Sequence, residues 1–143
     1  MKKIFLLDTN IISESFYKTP DPKVINKIDE NENHSAISSI TWNELLYGSQ
    51  IMPESKRKDW LYSRLIDEVQ KTFPILNFDS HCAWILSDLR SRLKKSGMAV
   101  DYADLQIASI AIANQMILVT RNIKHFGMIQ NVSGNLLIEN WFE

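Results

Sequence analysis

At 143 residues the chain has the length of one domain around one core, and its 45% hydrophobic content separates it from disordered tails. A formal charge of -1 excludes a polybasic binder of the histone kind, while leaving room for a local basic patch or a bound cation. The single Cys82 excludes an internal disulfide and a cysteine-based zinc site and fits a reducing cytoplasm, and no stretch approaches the roughly 20 apolar residues of a membrane helix.

The first apolar run, Ile4 to Leu7, reads as a strand covered on both faces. It follows Lys2 and Lys3, but Asp8 ends it too early for a signal peptide. Thr9 and Asn10 are suited to cap a helix starting near Ile11. After Pro20 and Pro22, Val24 to Ile28 opens a short amphipathic helix that ends in polar "DENENH". "HSAISSI" (34 to 40) predicts a second strand, and "TWNELLYGSQI" a helix opened by Thr41. From Pro53 to Gln70 the spacing of Trp60, Leu61, Leu65, Ile66 and Val69 predicts a long amphipathic helix.

"TFPILNF" predicts a third strand, which Pro74 assigns to a sheet edge or a strand start. Residues 79 to 95 carry Cys82, Trp84 to Leu86, Leu89 and Leu93, read as one helical face, and close on basic residues and Gly97, as a helix C-terminus does. "DYADLQIASIAIAN" is a compact helix, "MILVT" a fourth strand and "NLLIENW" a last one. Strands alternating with helices predict one α/β unit over residues 1–143. Its architecture is a three-layer α/β/α sandwich around a mostly parallel sheet of four to five strands.

Ligands of open parallel sheets bind beyond the carboxyl ends of the strands. Three acids fall there: Asp8 after the first strand, Glu44 in the helix after the second, and Asp104 at the start of the helix leading into the fourth. Asn122 follows the fourth strand itself. Each has a local explanation. Thr41 and Glu44 have capping-box spacing, and Asp101 is placed to cap the helix that contains Asp104. Capping does not account for Asp8, a carboxylate closing an apolar strand. Three carboxylates at one edge repel one another, and a hard divalent cation relieves that repulsion. Oxygen ligands suit Mg²⁺ or Mn²⁺. His34, His81 and His125 show no ligand spacing, and the phosphate-binding glycine motifs and serine-hydrolase signatures are absent.

In order along the chain, "LLDTNIIS", "SSITWNELLYG", "AVDYADLQIASIA", "LVTRNIKHF" and "IENW" closely resemble the PIN-domain ribonucleases of VapC type, the toxins of type II toxin–antitoxin pairs. The resemblance implies a PIN-like fold and a metal site held by Asp8, Glu44 and Asp104, with Asn122 at the fourth position after "VT". It assigns Thr9, Asp101 and Thr120 auxiliary places. Asn122 in place of an acid lowers the charge available to a second metal. The implied activity is Mg²⁺-dependent hydrolysis of RNA by a homodimer whose small VapB-like antitoxin inserts a side chain or helix near the acids. Arg121 and Lys124, beside the site, are candidates for substrate phosphates, and Trp60, Leu61, Tyr62 and Leu65 for an antitoxin groove. Two rival readings remain: a non-catalytic PIN-like module that binds a partner or DNA, and a structure-specific DNA nuclease.

Overall fold

The computed structural model describes residues 2–143. Five short strands, β1 (Phe5–Leu7), β2 (Ser35–Ser38), β3 (Ile75–Leu76), β4 (Ile117–Val119) and β5 (Leu137–Glu139), form one sheet in the order β3-β2-β1-β4-β5. All four neighbouring pairs are parallel. In register, Leu6 lies between Ala36 and Leu118. These three point into one core with Leu86, Leu89 and Leu93 of α6 (Ser80–Lys95), Ile107 and Ile110 of α7 (Tyr102–Ala113), and Phe126 and Ile129 of α8 (Ile123–Val132).

Leu7, Ile37 and Val119 alternate to the opposite face. There they meet Ile11 and Ile12 of α1 (Thr9–Glu14), Val24 and Ile28 of α2 (Pro22–Asn31), Leu45 of α3 (Ser39–Gln50), and Leu65, Val69 and Trp141. Burial on both faces explains why the strands are continuous apolar runs, and it yields the three-layer α/β/α sandwich expected. The Pro74 strand is indeed an edge, paired only with β2.

Three local expectations are corrected. Asp8 itself, not Thr9 or Asn10, is the N-cap of α1, with its side chain accepting from the Thr9 amide, so capping accounts for part of the role of Asp8 after all. The second strand stops at Ser38, whose hydroxyl caps α3 by accepting from the Thr41 amide, so Thr41 and Glu44 form no capping box. Ser38 leaves the sheet in extended conformation just where its pairing with Leu76 ends, and this frees the hydroxyl to cap. Glu44 is therefore one turn deeper in α3 than its spacing suggested, with its carboxylate released from capping.

The long helix begins at Lys56 behind the N-cap Ser55, and α4 (Lys56–Arg64) runs through a π-turn (Leu65–Val69) into α5 (Gln70–Thr72). The π-turn sends both Leu65 and Val69 into the core. The helix α8 was not foreseen. Phe126 and Ile129 are its buried residues and Val132 packs beside them, a spacing of three that Gly127 and the intervening polar residues interrupt.

Helices α6 and α7 end on the same device, a residue with left-handed φ two residues past the last helical one. In α6 it is Gly97 (φ 71°), with Met98 bonded back to Leu93 at 2.9 Å. In α7 it is Gln115 (φ 54°), with Met116 bonded back to Ala111 at 2.9 Å. A side chain at that φ is strained and a glycine is not. Gln115→Gly is expected to raise the unfolding free energy by about 0.5–1 kcal/mol, and Gly97→Ala to lower it by about 1 kcal/mol, read by urea denaturation.

Candidate metal centre

The sheet order changes direction at β1: the chain moves from β1 to β2 and β3 on one side, then returns to place β4 and β5 on the other. The crevice beyond the carboxyl ends of β1 and β4 is the switch point where open parallel sheets bind ligands. Asp8 ends β1 there and Thr120 ends β4. Asp8 is 5% exposed, and every polar neighbour grips it. The Thr9 amide donates to Oδ1 at 2.8 Å, the buried Thr120 hydroxyl to Oδ2 at 2.8 Å, and the Asn10 amide nitrogen to Oδ2 at 3.1 Å. Burial raises the Asp8 pKa, and those three hydrogen bonds only partly oppose it.

Thr9 links Asp8 to the second acid. Its hydroxyl donates to Glu44 Oε1 at 2.7 Å and lies 3.2 Å from the Thr41 hydroxyl, so α1 and α3 are tied across the edge. The Glu44 pKa is also raised, first by burial and then by the charges of Asp8 and Asp101, against the Thr9 hydrogen bond. Asp101 caps α7 as anticipated, accepting from the amides of Ala103 at 2.9 Å and Asp104 at 3.3 Å. Asp104, one turn on, is half-buried and has its pKa pushed up to about 6. Burial is the main cause, followed by the negative charges of Asp8 and Asp101, with Glu44 adding to them and His125 opposing. The three sequence-predicted acids therefore feel one another's charge.

Asn122 heads α8 without capping it, and its side-chain nitrogen lies 2.9 Å from Nδ1 of His125. The same His125 Nδ1 is 3.6 Å from Asp104 Oδ2. His125 is the residue that sequence reasoning passed over: no ligand spacing marks it, and only its place three residues after Asn122, one helical turn on, hints at a shared site. Arg121 and Lys124 are exposed at the rim. The Arg121 amide donates to Asn10 Oδ1 at 3.1 Å, and its guanidinium lies over the Phe142 ring.

The expected groove on α4 is redistributed. Leu65 is fully buried, and Trp60 and Tyr62 are exposed. Leu61 and Leu65 instead floor a hollow of about 270 Å³ with Phe16, Leu45 and Arg57, which opens onto Thr9 and Glu44.

Among the described residues no group of three or more acid, imidazole or thiol side chains is closed into a ready cage. The acid oxygens are turned partly onto Thr9, Asn10 and Thr120. A cage is not what a hard ion requires, because Mg²⁺ keeps several waters and takes few protein oxygens. The donor set is carboxylate and amide oxygen with no thiolate. Its acids have raised pKa values, and among the described residues no lysine or arginine forms an ion pair with them. That set fits a hard divalent cation and is costly without one.

Residues 5–127 match the PIN domain. "Ribonuclease VapC2" of Rickettsia felis is 39% identical over 139 residues, covering 96% of this chain and 98% of that protein. Among solved structures, FitAcB from Neisseria gonorrhoeae superposes with a TM-score of 0.88 at 29% identity, over 98% of this chain and 99% of its own. VapBC2 from Rickettsia felis, bound to a promoter DNA fragment, superposes at 0.80 with 36% identity, over 96% and 98%. With its parallel sheet, its acids at the β1/β4 crevice and these likenesses over nearly its whole length, the chain belongs to the PIN-domain family, in its VapC group.

Proposed function

We propose that the chain is a metal-dependent endoribonuclease and the toxin of a toxin–antitoxin pair, its 143 residues acting as one catalytic domain. The observation that carries this reading is the set of three mutually repelling carboxylates, Asp8, Glu44 and Asp104, with raised pKa values at the switch point of a PIN fold. The relatives support the substrate class, since the 39% identical protein bears the name ribonuclease.

Asp8 and Asp104 are the residues assigned to hold Mg²⁺ or Mn²⁺, with Glu44 directly or through water. When bound, such an ion lowers the pKa of a coordinated water and neutralises charge on the phosphoryl oxygens. The remaining work belongs to the side chains. Thr9 occupies Oε1 of Glu44, which leaves Oε2 to orient a water and accept its proton. Thr120, Asn10 and the Thr9 amide fix Asp8, so it cannot swing with substrate. Asn122 holds the His125 ring beside Asp104, and Arg121 and Lys124 offer cations to the RNA phosphates.

The hollow beside Glu44, lined by Phe16, Leu45, Leu61 and Leu65 together with Arg57, is the seat we assign to the antitoxin: apolar side chains within it, a cationic one reaching Glu44. The solved relatives FitAcB and VapBC2 support a protein partner. We assign the toxin itself the homodimeric state.

Asp8→Asn keeps the size of the side chain and removes its charge. It is expected to lower the rate of RNA cleavage by at least about 100-fold (on the order of 3 kcal/mol of barrier) while circular dichroism stays native, and EDTA is expected to silence the wild type. Wild-type cleavage by the variant, or in EDTA, contradicts the assignment.

Asp104 supplies a pH test. An acid whose pKa rises on folding holds its proton more tightly in the native state. Its destabilising charge is therefore absent below the unfolded value of 3.8 and fully developed above about 6. The metal-free protein should lose stability through this group as pH rises from about 4 to about 6. Asp104→Asn should raise the metal-free Tm at pH 7 by about 3 °C, corresponding to about 1 kcal/mol after allowance for solvent screening, and by much less at pH 4. Differential scanning calorimetry in EDTA at both pH values checks it.

A further inference from the structure

The end of the chain meets the site's rim at one residue, Phe142. The guanidinium carbon of Arg121 lies 4.3 Å from the centroid of the Phe142 ring. The carbonyl of the same residue accepts a hydrogen bond from Lys23 Nζ at 2.8 Å. Three segments remote in sequence converge here: the residue after β4, the turn after β5 and the first turn of α2. The turn is itself held firmly. The Phe142 amide donates to Asn140 Oδ1 at 2.9 Å, and Trp141, 2% exposed, is buried edge-on against Phe5.

Both cations are exposed, and among the described residues neither forms an ion pair with a carboxylate. Stacking occupies the face of a guanidinium and leaves its N–H edge free, and that edge matches the forked oxygens of a phosphodiester. An arginine already resting on a ring also loses less side-chain freedom when it binds. The location is tied to the acids: the Arg121 amide bonds Asn10 Oδ1, and Asn10 in turn bonds Asp8.

Resting on the ribonuclease reading above, we propose that Arg121 and Lys23, gathered on Phe142, form a phosphate-binding subsite for the RNA strand beside the scissile bond, with Phe142 as a positioning residue that acts through Arg121. Lys23 and Phe142 then belong to substrate binding although neither lies near Asp8, Glu44 or Asp104 in sequence.

The test uses the full chain, a labelled single-stranded RNA dodecamer read by anisotropy with Ca²⁺ in place of Mg²⁺, and turnover of the same RNA with Mg²⁺. Phe142→Ala removes the ring and keeps both charges. The expected result is a rise of about three- to tenfold in Kd and KM, with kcat within about twofold and the salt dependence of binding nearly intact. Arg121→Gln and Lys23→Gln should each flatten the log–log salt slope by about 0.7, the value for one phosphate on a single strand. Phe142→Trp, which retains a ring face, should restore binding, and Arg121→Lys, which retains charge without the planar stack, should behave like Phe142→Ala. Thermal unfolding of each variant separates loss of the subsite from loss of the fold.

Wild-type affinity in Phe142→Ala or in Arg121→Lys overturns the subsite. So does a fall in kcat with KM unchanged. If wild type cleaves RNA and these variants bind it normally, the subsite fails and the nuclease reading stands. If wild type binds RNA without cleaving it, the nuclease reading fails and the subsite is still read from anisotropy. If wild type binds no RNA, both fail.

Discussion

A carboxylate buried at the crevice beyond β1 and β4 sets the electrostatics of this edge of the sheet. Asp8 ends the central strand, is nearly inaccessible, and keeps its place through the Thr9 amide, Asn10 and Thr120. Those bonds favour the ionised form, yet burial outweighs them and its pKa is raised. The strand explains why the residue cannot retreat. Leu6 and Leu7 are locked into opposite cores, so the next peptide has one path, and Asp8 must stand at the mouth of the crevice. As N-cap of α1 it also has a structural duty. One residue thus serves the helix and holds charge at the ligand-binding edge.

The rest of the site is arranged around that fixed charge. Thr9 carries the influence of Asp8 to α3 by bonding Glu44, while Asp101 caps α7 and orients the turn that presents Asp104. Burial is the main reason that Glu44 and Asp104 are elevated, and each neighbouring acid adds to the cost. Sites that stabilise a ligand or a transition state are commonly ones that strain the empty protein. Here the strain is electrostatic, and a hard divalent cation is the group whose chemistry removes it.

Much of this was legible in the chain, for physical reasons that differ by element. Doubly buried strands such as Phe5–Leu7 and Ile117–Val119 announce themselves as apolar runs, and the alternation with helices determined the layered architecture. The acids stood out because a charge after an apolar run is costly. Caps were harder to assign. Ser38 and Thr41 are both competent capping residues, and only the length of sheet pairing decides between them. The α8 helix, with its apolar spacing broken by Gly127 and polar residues, and His125, which lacked a motif, did not show until the fold brought Asn122 and Asp104 together around the imidazole ring. Of the stripe read as a surface groove, only Leu65 goes fully into the core, while Trp60 and Tyr62 stay exposed.

The most direct test of the account is the thermal stability of the wild-type chain with and without Mg²⁺ or Mn²⁺ at two pH values. If the three acids form a cation site, millimolar metal should raise Tm by several degrees at pH 7, the effect of about 1–3 kcal/mol of linked binding. The increase should shrink sharply at pH 5, where the proton on Asp104 competes. A Tm that ignores the metal at pH 7, or rises equally at pH 5, contradicts the central claim and leaves the carboxylates as caps and spectators.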